Sequence, residues 1–299
     1  MADPVNATAK TGLAAWLALL RPHQWIKSGF VFVGLLFGHS WTRPDVVLAA
    51  CLAAIGFSLA ASAVYVFNDL VDRERDREHP KKRLRPLAAG TISVSAAVGL
   101  GAGCALLGLF LAWLAAPKVA ALIGIYLVLN AGYSGGLKHV AILDVFIISA
   151  GFMLRLLAGT EGIGIAASQW LLLCGLMVTL FLGFAKRRAE LYALEDGAGS
   201  HRKVLDEYDP VLLDKMITVC AAGSIVSYSL YTLSPQTLAL HGTDRLMWTV
   251  PFVLYGMFRY LFLLHRQGGG SDAASDLLRD RHLLVSVGGW LLTVLWLLG

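Results

Sequence analysis

The sequence predicts an all-α integral membrane protein, a bundle of about nine transmembrane helices with its N-terminus on the cytoplasmic side. Three observations predict it. Of 299 residues, 57% are hydrophobic and the mean hydropathy is +0.66, above the apolar share of about 45–50% in soluble domains. Apolar windows of about 20 residues, enough to cross ~30 Å of hydrocarbon, recur along the chain. With the N-terminus inside, only Arg43, Lys118 and Arg245 of the 25 basic residues fall on the outer side and, apart from Arg155 inside a span, the other 21 fall on the cytoplasmic side, the asymmetry expected of cytoplasmic loops. The alternating strands of a membrane β-barrel are not seen.

The opening "MADPVNATAKTG" lacks the basic region of a signal peptide. Residues 1–12 read as disordered, and the Asn6-Ala7-Thr8 sequon reads as a chance match on an inside terminus. "LAAWLALLRP" is too short to span, so residues 13–20 are expected as an interfacial helix with Trp16 at the headgroup level. Spans follow at 25–41, 46–67, 92–115, 119–136, 141–159, 169–185, 212–233, 247–264 and 283–298. Polar loops at 68–91 and 186–211 follow the second and sixth spans, and "YSGGLKH", headed by Tyr133, ends the fourth. Three polar ends on one side suggest one shared site. Gly99 and Gly103 give GxxxG spacing in the third span, read as close helix packing, and "GGGSDAAS" at 268–275 reads as a flexible loop. No polar stretch could hold another domain, so 1–299 is expected to be one membrane domain, compatible with a homo-oligomer.

Cys51, Cys104, Cys174 and Cys220 stand alone in apolar segments, which supports neither a disulfide framework nor a zinc site. The net charge of +5 reads as topology plus anionic ligands, not as nucleic-acid binding.

The segment "NDLVDRERDREHPKKRLRPLAAG", Asn68 to Gly90, carries the chemistry. Asn68, Asp72 and Asp76 are four apart, and Asp69 lies three before Asp72 and seven before Asp76, so all four share one helical stripe. Three carboxylates on a stripe repel one another, and something cationic must hold them. Mg²⁺ suits this, taking hard oxygens and leaving part of its shell to substrate phosphates. Asp and Arg alternating as i,i+4 pairs on a solvated helix would account for "DRERDRE" alone. The continuation goes further: Lys81, Lys82, Arg83 and Arg85 follow within ten residues of Asp76, and carboxylates for a metal beside a basic cluster are what binding a pyrophosphate requires. Glu74 and Glu78 do not all share the aspartates' face and are expected bystanders.

Asp144 and Arg155 lie within the apolar run "AILDVFIISAGFMLRLLAG", where a charge facing lipid costs about 3 kcal/mol or more, so inward roles are expected. Their spacing of three helical turns, roughly 16 Å, is too long for mutual neutralisation. Arg155 therefore needs another partner or an anionic ligand. Lys138, Lys186 and Arg187 close the fourth and sixth spans; Arg188 reads as a positive-inside anchor, and Glu190, four after Lys186, as a residue that orients it. Gln24 and Lys27 in "RPHQWIKS" bring further polar atoms to the first span.

Asn68-Asp69-x-x-Asp72-x-x-x-Asp76 followed by "RPLAAG" resembles the first signature of the UbiA-type intramembrane prenyltransferase superfamily. Within it, "DREHPKKRLRPLAAG", "RPHQWIKSGFV", "YSGGLKHVAILD" and "KRRAEL" look most like the decaprenyl-phosphate phosphoribosyltransferase branch. Two positions depart from that branch: Ser28 stands where Asn is usual and Ala185 where Gly is common. The resemblance implies a UbiA-like bundle in a bacterial inner membrane, with its active site facing the cytoplasm. It implies Mg²⁺-dependent transfer of 5-phosphoribose from 5-phosphoribosyl 1-diphosphate to a polyprenyl phosphate, releasing pyrophosphate and supplying an arabinose donor for the cell envelope. Asp69, Asp72 and Asp76 would hold the metal, ordered by Asn68. Arg77, Lys82, Arg83 and Arg85 would take phosphate oxygens, Lys138, Lys186 and Arg187 the 5-phosphate or lipid phosphate, and Asp144 a ribose hydroxyl or second metal. Gln24, Lys27, Tyr133 and Arg155 complete the expected substrate contacts. The same aspartates would also suit transfer of a prenyl group to an aromatic acceptor, and intramembrane Asp and Arg also mark transporters.

Overall fold

The computed structural model describes residues 11–79, 82–195, 203–266 and 279–298. The expectations for the first ten residues, the sequon, Lys81 and the loop at 268–275 lie outside the described residues. The chain divides into two compact units, the first Met1–Gly135 with Leu154–Ile165 and the second Gly136–Met153 with Ala166–Gly299. The regular elements of both are helical.

The first unit begins with α1, Gly12–Leu20. Its Ala15 and Leu19 are buried against Val66, Leu87 and Ile92, and Trp16 packs on the same cluster, while Leu13 and Leu17 face outward. The expected span 25–41 takes another form: a 3₁₀ run, Pro22–Phe32, followed by the short α2, Val33–Phe37. The reason lies in its partner, α3, Pro44–Val71. A period of three stacks Trp25, Ser28 and Val31 on one face. Trp25 Nε1 donates to Ser62 Oγ at 2.9 Å, and Ser58 Oγ donates to Ser28 Oγ at 3.0 Å. Eleven 3₁₀ residues at about 2.0 Å each and five α residues at about 1.5 Å each reach about 30 Å, the thickness of the hydrocarbon. Among the described residues, the other eight predicted spans form helices long and apolar enough to cross a membrane.

After α3 come α4, Arg73–Glu78, α5, Val94–Ala115, and α6, Pro117–Gly135. Ser93 caps α5 by accepting from the Ala96 N–H. The close crossing of α3 and α5 is made by Gly56 and Gly108: a Cβ on either would stand 2.9 or 2.8 Å from the other's carbonyl oxygen. Gly99 and Gly103, expected to make such a contact, have open space where a Cβ would be. The i,i+4 spacing alone does not say which face meets a neighbour. Phe57, Ile123 and Tyr126 form the middle of the core. The first unit also includes the end of α7, Leu143–Ala158, after which Gly159 meets the backbone of Val31 and Gly34 so closely that neither glycine could carry a side chain.

The second unit takes the start of α7, then α8, Gln169–Glu195, α9, Pro210–Leu233, α10, Pro235–His241, α11, Val250–Arg266, and α12, Arg281–Leu298. Asp209 caps α9 ahead of Pro210. Val145, Phe181, Phe184, Leu213, Ile217 and Leu264 fill its core. The four cysteines are free.

Candidate active site

In the first unit, α3 ends at Val71, and Asp72, at φ −89° and ψ 4°, turns the chain into α4. Helical register survives the turn, because the Asp72 N–H donates to the Asn68 carbonyl and the Asp76 N–H to the Asp72 carbonyl, both at 2.9 Å. Asp69 and Asp76 therefore remain on one face, and both are buried. Arg85 Nη1 donates to Asp69 Oδ1 at 3.0 Å and to Asp76 Oδ2 at 2.7 Å. Arg21 Nη2 donates to the same Asp69 oxygen at 2.6 Å. The cation that the aspartate stripe demands is here arginine. Among the described residues no three His, Cys, Asp or Glu converge as metal ligands; two of the three expected carboxylates, Asp69 and Asp76, meet on Arg85. Asp72, bonded in that register to both Asn68 and Asp76, is the pivot between the two helices.

Neighbouring residues fix this pair in place. Asn68 accepts a hydrogen bond from the Ser134 hydroxyl of α6. Arg73 Nε and Arg77 Nε donate to the carbonyls of Leu87 and Ala88 at 3.3 Å, strapping "RPLAAG" to α4. Arg77, expected on phosphate, also pairs with exposed Glu74 at 2.9 Å. Lys82 is half-buried and Arg83 exposed in the turn that leads to Arg85. Arg21 also lies over the Tyr65 ring, 4.9 Å from its centre, and the Tyr65 hydroxyl donates to Gln24 Oε1 at 3.4 Å. Lys27 is half-buried on the 3₁₀ run, and Tyr133 half-buried on α6. Arg155 is buried between the rings of Phe57 and Tyr126, at 5.2 and 4.7 Å, which offsets desolvation of its charge. Its Nη2 donates to the Tyr126 hydroxyl at 3.3 Å.

The second unit holds the other predicted residues. Lys138 is half-buried in the turn Leu137–His139, and Lys186 is exposed on α8. Asp144 and Arg187 are almost wholly buried and neutralise each other, Arg187 Nε donating to Asp144 Oδ2 at 2.6 Å. Glu190, expected to orient Lys186, pairs with Arg187. Arg188, expected as an anchor at the membrane surface, is buried: it pairs with Asp214 at 2.5 Å and donates to the Leu264 carbonyl at 2.9 Å.

Sequence reasoning passed over Arg21, Ser134 and Tyr208. The Tyr208 hydroxyl donates to Asp144 Oδ1 and accepts from the Ile142 N–H, both at 2.7 Å. Ile142 has φ 70°, a left-handed conformation that costs a side-chain-bearing residue roughly 1–2 kcal/mol. Burial, and then the hydrogen bond to Asp144, push the Tyr208 phenol well above its usual range, so it remains a donor. Tyr208→Phe leaves the buried Asp144 carboxylate and the Ile142 N–H without this hydroxyl and is expected to lower stability by about 1–3 kcal/mol. An unaltered thermal unfolding curve would contradict that. The only available sequence signal was an aromatic residue inside the charged stretch "LDEYDP".

The UbiA prenyltransferase family matches residues 28–281. A protein of Corynebacterium glutamicum named decaprenyl-phosphate phosphoribosyltransferase is 35% identical over 284 residues, covering 92% of this chain and 84% of its own. A protein of the same name from Mycolicibacterium smegmatis is 31% identical over 302 residues, covering 98% and 95%. Among solved structures, a UbiA homologue from Archaeoglobus fulgidus bound to GPP and Mg²⁺ superposes with a TM-score of 0.71 at 19% identity, over 94% of this chain and 99% of that one. Because the match runs through the aspartate segment and the relatives align over most of their length, this chain belongs to the UbiA prenyltransferase family.

Proposed function

We propose that this protein transfers 5-phosphoribose from 5-phosphoribosyl 1-diphosphate to a polyprenyl phosphate, with release of pyrophosphate. The observation that carries the reading is the convergence of Asp69 and Asp76 on one cationic nitrogen beside an arginine-bearing turn, in a chain whose relatives bear that enzyme's name.

The residues fit a divalent metal. Asp69 Oδ1 and Asp76 Oδ2 both lie within 3.0 Å of a single positive nitrogen, and such hard oxygens suit Mg²⁺, which binds through one or two carboxylates and leaves its other positions to phosphate. Bound there, it would neutralise charge on the departing diphosphate. Arg85, with Lys82 and Arg83 in the same turn, takes the remaining diphosphate oxygens, for which a guanidinium fork is well shaped. Asn68, held by Ser134, orders the end of α3.

An oxygen of the lipid phosphate attacks C1 of the ribose while the bond from C1 to the diphosphate oxygen breaks, and pyrophosphate leaves with that electron pair. The nucleophile is already an anion and needs no general base, so the protein contributes positioning and charge. In the second unit, Lys138 and Lys186 supply phosphate-binding charge, and Asp144, Glu190 and Tyr208 brace Arg187 and the turn before α7. A water-soluble donor places the reaction at the cytoplasmic face, and the product suits a lipid-linked pentose donor for the envelope.

Purified protein given 5-phosphoribosyl diphosphate and a mixed polyprenyl phosphate pool should yield a lipid heavier by one phosphoribosyl group, with one pyrophosphate per product, by mass spectrometry. Pyrophosphate released from a prenyl diphosphate, but not from the phosphoribosyl donor, would instead establish prenyl transfer.

A further inference from the structure

We propose that Arg85 makes the aspartate pair select a metal-bearing diphosphate over the bare divalent cation, holding both carboxylates until a diphosphate arrives and then turning to its oxygens. This rests on the reading that Asp69 and Asp76 carry the metal of the diphosphate substrate.

The argument begins with charge. Asp69 and Asp76 contribute two negative charges, and Arg21 and Arg85, directly bonded to them, contribute two positive ones. The four-group cluster is therefore neutral without any metal. A divalent cation entering alone meets no net attraction from the cluster and has to part Arg85 from the oxygens it would itself take. The expelled guanidinium then loses two charge-assisted hydrogen bonds with nothing in exchange, the situation in which breaking a buried pair is most costly.

A diphosphate changes both terms. It brings the negative charge that accompanies the metal, and its oxygens give Arg85 partners at least as good as the carboxylates it leaves. The side chain is placed for such an exchange. Both of its contacts are made by one nitrogen, Nη1, and the side chain retains 31% of its exposure while the two carboxylates it holds retain 2% and 5%. Asp69 stays fixed during the exchange, because Arg21 holds it independently at 2.6 Å. Arg21 in turn lies over Tyr65. One arginine is a fixed brace and the other is the movable occupant of the metal's place.

The test uses full-length protein in detergent, with Mn²⁺ as the probe, followed by its electron paramagnetic resonance signal with and without inorganic pyrophosphate. Wild-type protein should bind Mn²⁺ weakly alone and at least tenfold more tightly with pyrophosphate. Arg85→Gln should bind Mn²⁺ alone at least tenfold more tightly than wild type and gain little from pyrophosphate. Arg85→Lys, which keeps one cationic nitrogen without the fork, should retain the low affinity for bare Mn²⁺ and lose much of the pyrophosphate enhancement. This second variant keeps the test open if Gln at 85 does not fold. Arg43→Gln, which removes an exposed pair with Asp45, should behave as wild type. Wild-type affinity for bare Mn²⁺ in both Arg85 variants, with pyrophosphate-dependent binding intact, would overturn the proposal and leave the metal reading standing. Mn²⁺ binding in none of the proteins, even with pyrophosphate, would overturn the metal reading and the proposal together.

Discussion

Asp69→Asn is expected to lower turnover by about a thousandfold, equivalent to roughly 4 kcal/mol of transition-state stabilisation. The substitution keeps size and shape but removes the charge to which both Arg21 and Arg85 donate. It weakens the proposed metal position and the brace behind it together. Raising Mg²⁺ is not expected to restore the rate, because the lost ligand is also the organising charge of the cluster. Glu74, on the exposed side of α4, pairs among the described residues with Arg73 and Arg77, outside the aspartate pair, and Glu74→Gln should change turnover by less than about twofold, as solvated ion pairs usually contribute little. Initial rates of pyrophosphate release would measure both. Near-wild-type turnover in Asp69→Asn would remove the aspartate pair from the reaction.

The second large effect concerns stability. Arg187→Met should destabilise the protein by about 3–5 kcal/mol, because it leaves Asp144 charged and buried without its ion-pair partner. Adding Asp144→Leu should recover most of that loss, since replacing both members of a buried pair by apolar residues is often neutral. Thermal unfolding of the two variants measures this, and the double variant also separates two roles. If Arg187 only braces α8, the refolded core should restore turnover along with stability. A stable double variant without turnover would place the Asp144–Arg187 pair on the substrate.

The parts of the fold legible in the sequence were those that a repeating pattern encodes. Apolar windows located eight helices because burial in a bilayer is written residue by residue. The stretch 25–41 was misjudged in form because hydropathy reports composition, whereas its helical type follows from where Ser58 and Ser62 stand on a distant helix. The same division runs through the site. Asp69 and Asp76 were placed together correctly because i,i+7 is a local relation on a helix. The break between α3 and α4 at Asp72 was not legible, because neither Gly nor Pro marks it. Asp144 was judged only against Arg155, its neighbour along the chain, while its partners Arg187 and Tyr208 come from beyond α7. Arg188 was read from its position at a span end, and only the arrangement of α9 and α11 reveals the carboxylate and carbonyl that bury it.

The 3₁₀ run between Arg21 and α2 links a secondary-structure state to a charge. Eleven residues wound as 3₁₀ are longer by about 5 Å than the same residues wound as α-helix. Gly34 anchors the far end against Gly159, where no side chain fits. A rewinding of the run would therefore be taken up at its near end, shifting Arg21 along the axis by more than the length of its bond to Asp69. Winding state and ion pair thus behave as one mechanical element, with the hydroxyl row of α3 as the ratchet that sets its length.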